Sequence, residues 1–178
     1  MRIISGEYKG RRILAPKKLP VRPTTDMAKE ALFNILNHQF YFKDVSVLDL
    51  FSGTGNISYE FASRGSKHIY AVDVNSYCIK FISRVARELG FNITPIKVDV
   101  FTYLEKSNIK VDIIFADPPY DMALVDLERI PQLVFKNNLL TENGILVMEH
   151  SKHVDLSRSL NFSNSRKYGG SVFSFFID

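Results

Sequence analysis

Val47-Leu48-Asp49-Leu50-Phe51-Ser52-Gly53-Thr54-Gly55 carries the chain from an apolar strand into a glycine turn and on into a helix. A strand this apolar is buried on both faces, the habit of a parallel sheet. Gly53 and Gly55 let backbone approach a ligand closely, with the N–H groups of the helix start pointing at it. From residue 46 onward such strands alternate with helices. Strands are predicted at 46–51, 68–73, 94–99, 111–116, 144–149 and 171–177, and helices near 55–64, 76–90, 100–106 and 123–136. The alternation predicts an α/β fold with a doubly wound, mostly parallel sheet. The alternating run from Ser171 to Ile177 suits a late strand that can run antiparallel. Thr141-Glu142-Asn143-Gly144 reads as the turn into the fifth strand, and Arg64-Gly65 as a helix end with a left-handed glycine.

Ahead of this alternation, Arg2-Ile3-Ile4-Ser5 and Arg12-Ile13-Leu14-Ala15 are β-prone segments around Gly6 and Gly10, which predicts an N-terminal hairpin or ribbon. Pro16, Pro20 and Pro23 punctuate a connector. Thr25 or Asp26 then caps a helix whose apolar positions Ala28, Ala31, Leu32, Ile35 and Leu36 recur at helical spacing. The whole chain is expected to form one domain, with residues 1–23 as a basic arm and 24–178 as helix plus core.

Acids close the strands. Asp73 stands eighteen residues beyond Gly55, after Ile69-Tyr70-Ala71-Val72, where a carboxylate can accept both ribose hydroxyl protons of a nucleoside cofactor. Asp99 closes Thr94-Pro95-Ile96-Lys97-Val98, where an acid can receive an adenine amine. Each acid alone reads as a helix cap, the commoner role for Asp after a strand. Asp49, Asp73, Asp99 and Asp117 in succession predict a nucleoside crevice at the strand carboxyl ends. The expected cofactor contacts are Asp49, Phe51, Gly53 and Gly55, then Asp73 with its neighbour Val74 and Asp99 with its neighbour Val100. A dinucleotide dehydrogenase begins in the same way, but here Ser58 replaces the third glycine of its pattern.

The chemistry is carried by Asp117-Pro118-Pro119-Tyr120, which follows the apolar run 111–116. The exocyclic amine of a nucleobase is a poor nucleophile, because its lone pair is delocalised into the ring. A site that activates it must accept its protons. The Asp117 carboxylate and the Pro118 carbonyl can do so, neither Pro118 nor Pro119 has an N–H to donate, and Tyr120 can stack on an extruded base. Pro-Pro by itself is more often a tight turn, and the strand-end context makes the difference. An amine nucleophile selects S-adenosylmethionine as the cofactor.

Length and composition agree. At 178 residues, 46% of them hydrophobic, the chain suffices for one well-buried domain. It carries no apolar run near the ~20 residues of a membrane span and no signal-peptide core, so a cytoplasmic location is expected. Cys78, the lone cysteine, falls in line with Phe81, Ile82, Val85 and Leu89 and reads as core. His150 and His153 lack the spacing and the cysteine partners of a zinc site, so no metal is expected, and the two read as surface or capping residues. Residues 1–30 hold eight Lys or Arg (Arg2, Lys9, Arg11, Arg12, Lys17, Lys18, Arg22 and Lys29) against Glu7, Asp26 and Glu30. This excess suggests a footprint for a phosphate backbone.

With these residues assembled, the chain resembles the bacterial 16S ribosomal RNA guanine-N2 methyltransferase family along almost its whole length. The resemblance rests on Arg2-Ile3-Ile4-Ser5-Gly6 with Lys9-Gly10-Arg11-Arg12, and on Arg22-Pro23-Thr24-Thr25-Asp26 with Glu30-Ala31-Leu32-Phe33-Asn34. It continues through Asp49 to Gly55, Glu60, Ser63-Arg64-Gly65 and Asp117 to Tyr120. It implies a seven-stranded class I methyltransferase sheet, an N-terminal hairpin that engages RNA, Arg22 and Thr24 near the site, and assembled or assembling small ribosomal subunits as substrate. A monomer is expected. Lys29, Asp73 and Val85 depart from the family's frequent Arg, Glu and Asn. A DNA adenine-N6 methyltransferase can carry the same Asp-Pro-Pro-Tyr but usually needs a target-recognition domain. An inactive RNA-binding assembly factor would have lost Asp117 or the glycine turn, and both are kept here.

Overall fold

Strands that are apolar on both faces must be covered on both, and this chain covers its sheet with helices from two sides. The computed structural model describes residues 1–16 and 24–178. Seven strands form one sheet in the order β3-β2-β1-β4-β5-β7-β6. They are β1 (Ser46–Leu50), β2 (His68–Asp73), β3 (Ile93–Lys97), β4 (Val111–Ala116), β5 (Leu140–Ser151), β6 (Phe162–Tyr168) and β7 (Ser171–Phe176). The first five run parallel, and β7 lies antiparallel between β5 and β6. The helices are α1 (Asp26–Asn37), α2 (Asn56–Ser63), α3 (Ser76–Leu89), α4 (Val100–Lys106) and α5 (Leu124–Lys136). Alternate strand residues point to opposite faces. Val47, Ile113, Phe115 and Val147 therefore pack with α1, α2 and α3, whereas Leu48, Leu50, Ile114 and Leu146 pack with α4 and α5.

Local signals set several element ends as expected. The Thr25 hydroxyl caps α1 by accepting from Ala28 N at 3.2 Å, and Gly65 turns left-handed just past the end of α2. Two elements differ from the sequence reading. β6 gives no strand signal of its own, because its interior residues are polar and exposed, with no apolar alternation; pairing with β7 makes it a strand. Thr141 to Gly144 is no turn before a strand but a bulge inside β5. Asn143 takes the left-handed conformation there, and the Thr141 hydroxyl donates to Asp112 Oδ1 at 2.7 Å. Asp112 Oδ2 also accepts from the Ser46 N–H and hydroxyl, so one carboxylate ties β1, β4 and β5 at their lower ends.

The N-terminal segment is an antiparallel ribbon closed by a single bridge, Arg2 to Arg12, and it is built into the core rather than hanging ahead of it. Ile3 and Ile13 are buried against α1 and α2. Glu60 of α2, itself fully buried, accepts from Ile4 N and Ser5 N at 2.8 and 3.0 Å. Ser63 bonds Ser5 and Tyr8. Gly6 passes so close to the Ser63 carbonyl that a Cβ there would stand 1.9 Å from its oxygen.

Candidate active site

A sheet whose chain order reverses between two parallel neighbours leaves a crevice at their carboxyl ends. Here the reversal falls between β1 and β4. A cavity of about 590 Å³ opens there, bordered by the ends of β1, β2, β4 and β5 and by Thr24 and Thr25 ahead of α1. That volume lies in the range of small-molecule sites.

The β1–α2 turn forms one wall. Phe51, Gly53 and Gly55 all have positive φ (59°, 52° and 84°). For Phe51, a residue with a Cβ, this conformation is strained, and the turn holds it through Ser52 N to Val72 O at 3.0 Å and Gly55 N to Ser52 O at 2.8 Å. Asp73 braces the same turn from the end of β2, its Oδ2 accepting from Gly53 N at 2.8 Å and its Oδ1 from Asn75 N at 2.7 Å. A carboxylate offers about four acceptor sites, so Asp73 retains capacity for a ligand's hydroxyls. The buried Ser52 hydroxyl borders the cavity with no partner among the described residues. An orphaned polar atom, spare carboxylate lone pairs and the apolar neighbours Phe51, Val74 and Ile57 fit a nucleoside with a polar sugar and a flat ring.

Asp49 borders the cavity too, but both of its hydrogen bonds go to Ser58, from the N–H at 3.1 Å and from the hydroxyl. Burial pushes its carboxyl up to about 7 against the pull of those two donors. The residue that stands where a dinucleotide fold has its third glycine thus anchors α2 to β1. Gly55 does not border the cavity. A Cβ there would meet the Tyr59 ring at 2.7 Å and Ile82 at 3.0 Å, so core packing as well as the turn requires glycine. Cys78 is buried on α3 as expected and also borders the cavity; burial and then Asp73 push its thiol up to about 11.

Opposite the turn, Asp117 follows β4, its N–H donating to Leu50 O at 3.3 Å where the strands part. Burial holds its carboxyl well above the usual carboxylate range, and the negative charges of Glu149 and Asp49 hold it higher. Pro118 is buried, and Tyr120 is 47% exposed at the rim, its hydroxyl 3.1 Å from Ser171 Oγ on β7. Glu149, near the end of β5, is a site residue that the sequence reading misses. It is 3% exposed, borders the cavity and accepts from the Thr24 hydroxyl at 2.7 Å. The signal that finds Asp117, an acid closing an apolar run, is present in Ile145-Leu146-Val147-Met148-Glu149 as well. From Thr24 a buried polar chain leads inward: Asn56 Nδ2 donates to the Thr24 carbonyl, Lys29 Nζ donates to Asn56 Oδ1 at 2.9 Å, and Lys29 pairs with Glu60 at 3.5 Å.

The structure brings together Asp49, Phe51, Gly53, Asp73, Val74, Asp117, Pro118, Pro119, Tyr120 and Thr24 around one cavity. Asp99 and Val100 stand apart from it. The Asp99 carboxylate caps α4 by accepting from Thr102 N at 2.9 Å, and Val100 is buried among α4 and α5. Lys9, Arg11 and Arg12 are exposed on the ribbon, Arg2 pairs with Asp26 at 3.0 Å, and Arg22 lies outside the described residues. Lys29, one of the eight basic residues of the arm and first helix, does not belong to a basic surface. It is fully buried, because Glu60, Asn56 and the Arg2 carbonyl together satisfy its ammonium; burial still lowers its pKa. His150 is likewise buried, not superficial. Its Nδ1 faces the Ser151 carbonyl, which can only accept, so the neutral ring takes the Ser174 hydroxyl at Nε2, and burial keeps its pKa low.

A family model described as Conserved hypothetical protein 95 matches residues 1–177. Over 150 residues the chain is 33% identical to Ribosomal RNA small subunit methyltransferase D of Buchnera aphidicola subsp. Baizongia pistaciae, covering 84% of this chain and 75% of that protein. It is 30% identical over 156 residues to the Escherichia coli K12 protein of the same name, covering 87% and 74%. A solved hypothetical protein of Thermus thermophilus shares the fold with a TM-score of 0.85 at 23% identity, covering 99% of this chain and 98% of that one. With the predicted sheet, the glycine turn and Asp117 to Tyr120 all at one crevice, the chain belongs to the Conserved hypothetical protein 95 family and, with these relatives, to the small-subunit ribosomal RNA methyltransferases D.

Proposed function

We propose that this protein methylates the exocyclic N2 amine of one guanine in small-subunit ribosomal RNA, using S-adenosylmethionine. The observation that carries the reading is that Asp117-Pro118-Pro119-Tyr120 and the Asp73-braced glycine turn border the same cavity. When bound, the cofactor supplies an activated methyl group on its sulfonium. The chain's own groups do the rest. Asp73, which fixes the Gly53 N–H, would receive the ribose hydroxyls, and Phe51 and Val74 would offer apolar contacts to the adenine. Asp99 does not border the cavity and caps α4, so the adenine-amine role expected of it has no support from the cavity's lining. On the substrate side, Asp117 and the Pro118 carbonyl accept the two amine hydrogens and turn the nitrogen lone pair out of conjugation. As the N–C bond forms, the methyl–sulfur bond breaks with its electron pair returning to sulfur as the neutral thioether, and the nitrogen loses one proton. A carboxyl whose proton affinity is raised by burial is suited to take it. Tyr120, tethered to Ser171, offers the flipped base a stacking face.

Lys9, Arg11 and Arg12 are exposed on the docked ribbon, where they are available to contact phosphates of the RNA. The relatives named above are ribosomal RNA small subunit methyltransferases, and the substrate assigned here is the corresponding 16S RNA in assembled or assembling subunits. The test is incubation with labelled S-adenosylmethionine and unmodified small subunits, naked 16S RNA or DNA, followed by mass spectrometry of nucleosides. N2-methylguanosine from the subunits is expected. N6-methyladenine from DNA overturns the reading.

A further inference from the structure

Four acids border the cavity, Asp49, Asp73, Asp117 and Glu149, and no Lys, Arg or His borders it among the described residues. Asp49 takes two donors from Ser58, both on its Oδ2, and Asp73 takes one on each oxygen, from Gly53 and Asn75. Glu149 has a single donor among the described residues. One oxygen accepts from Thr24, and among the described residues the other has no hydrogen-bond donor, although the residue is buried. A buried carboxylate without a cation or a full set of donors is costly and calls for donors from a ligand. The register supplies the location. Ala116 of β4 lies opposite Met148 of β5, so Asp117 and Glu149 are the next neighbours across the two parallel strands, about 4.8 Å apart in backbone spacing. The cavity therefore offers two adjacent carboxylates where a base would enter.

Adjacent acceptors match only one kind of base edge. In guanine the N2 amine is flanked by the N1–H, a second donor. The amines of adenine and cytosine are flanked by a ring nitrogen that carries a lone pair. Resting on the amine-methylation reading, we propose that Glu149 is the residue that selects guanine, by accepting the N1–H while Asp117 receives the neighbouring amine. Thr24 holds the carboxylate in that orientation through its hydroxyl. The buried chain from Thr24 through Asn56 to Lys29 fixes Thr24 in turn. Adenine or cytosine placed in the same pose would set a lone pair against a carboxylate oxygen. A site built to hydrogen-bond a substrate N–H rejects the analogue that lacks it far more strongly than a site relying on shape.

2-Aminopurine keeps the amine at the same ring position, has a lone pair at N1 in place of the hydrogen and lacks the 6-oxygen, so comparing the two bases in the parent and in a Glu149 variant isolates the Glu149 hydrogen bond. Small subunits are reconstituted with guanosine or 2-aminopurine riboside at the nucleotide that mass spectrometry shows to be methylated, and single-turnover rates are measured with saturating S-adenosylmethionine. The parent should methylate the guanine particle at least about a hundredfold faster. Glu149→Gln keeps the shape and an acceptor for Thr24 but adds an amide N–H. It should slow the guanine particle, speed the 2-aminopurine particle and bring the ratio within about tenfold. A variant that slows both equally leaves the ratio unchanged, and that result makes Glu149 structural and overturns the inference. So does a parent ratio near one, which requires no variant to fold. If the parent transfers no methyl to the guanine amine at all, the amine-methylation reading fails, and the selection inference with it.

Discussion

Asp117 and Asp49 are both carboxylates drawn out of water, and they respond to it differently because their neighbours differ. Asp49 faces two donors of Ser58, whereas Asp117 faces other acids. For Asp117→Ala the single-turnover rate on small subunits should fall at least about a hundredfold, the scale for losing one preorganised electrostatic partner, while S-adenosylmethionine affinity by calorimetry stays near the parent's. Asp117→Asn, which keeps one acceptor, should retain more activity. As an acceptor Asp117 must be ionised, and its pKa is raised, so the rate should climb with pH through a range above the usual carboxylate value and then level off. Removing the neighbouring charge by Glu149→Gln should move that rise to lower pH. For Asp49 the consequence is one of stability. Its pKa is about 7 folded against 3.8 as its ordinary value, so the folded state holds a proton that the unfolded chain releases, and stability falls as pH rises from about 4 to 7. Asp49→Asn, whose amide oxygen can still accept from Ser58, should escape that loss. Its advantage in urea unfolding should be small at pH 4, grow to ~4 kcal/mol at most by about pH 7 and remain level above it.

At the scale of elements, the N-terminal ribbon depends on a close approach that admits no side chain. Gly6 and Gly10 both have positive φ, 86° and 83°, yet a Cβ at Gly10 would meet nothing within 4 Å, while one at Gly6 would overlap the Ser63 carbonyl of α2. Gly10→Ala should therefore cost only the left-handed penalty of about 1–2 kcal/mol. Gly6→Ala must also push ribbon and helix apart, which adds about 1–3 kcal/mol and strains the bonds from Ile4 and Ser5 to Glu60. Urea unfolding of the two variants side by side checks the difference. The same contrast runs through the glycines beside α3 and α2. Gly90 ends α3 in open space, and Gly55 sits under the Tyr59 ring, so equal backbone demands carry unequal packing costs.

For the molecule as a whole, the basic excess of the first thirty residues divides once the chain is folded. Lys9, Arg11 and Arg12 face solvent, Arg2 is paired with Asp26, and Lys29 is inside. Replacing Arg11 and Arg12 by Gln should weaken RNA binding and flatten its salt dependence by about 0.7–0.9 in log–log slope for each phosphate the ribbon no longer neutralises. Lys29→Met should leave that slope unchanged but destabilise the fold by about 3–5 kcal/mol, since Glu60 would lose one buried partner. Salt titrations and urea unfolding of both variants separate the two roles. The difference marks how far the linear sequence can be read. Strand and helix periodicity, the glycine turn, the Thr25 cap and Asp117 to Tyr120 are encoded within a few residues of one another, so sequence by itself determined the sheet's parallel part, its helices and the two halves of the cavity. Other features depend on which segments become neighbours. β6 is a strand only because β7 pairs with it, Lys29 is an interior cation only because Glu60 and Asn56 meet it, and Glu149 borders the cavity only because β5 lies beside β4. Asp99 shows the converse, a strand-end acid that the fold turns into a helix cap. Burial and partnership arise between residues far apart in the chain, and only the tertiary structure decides them.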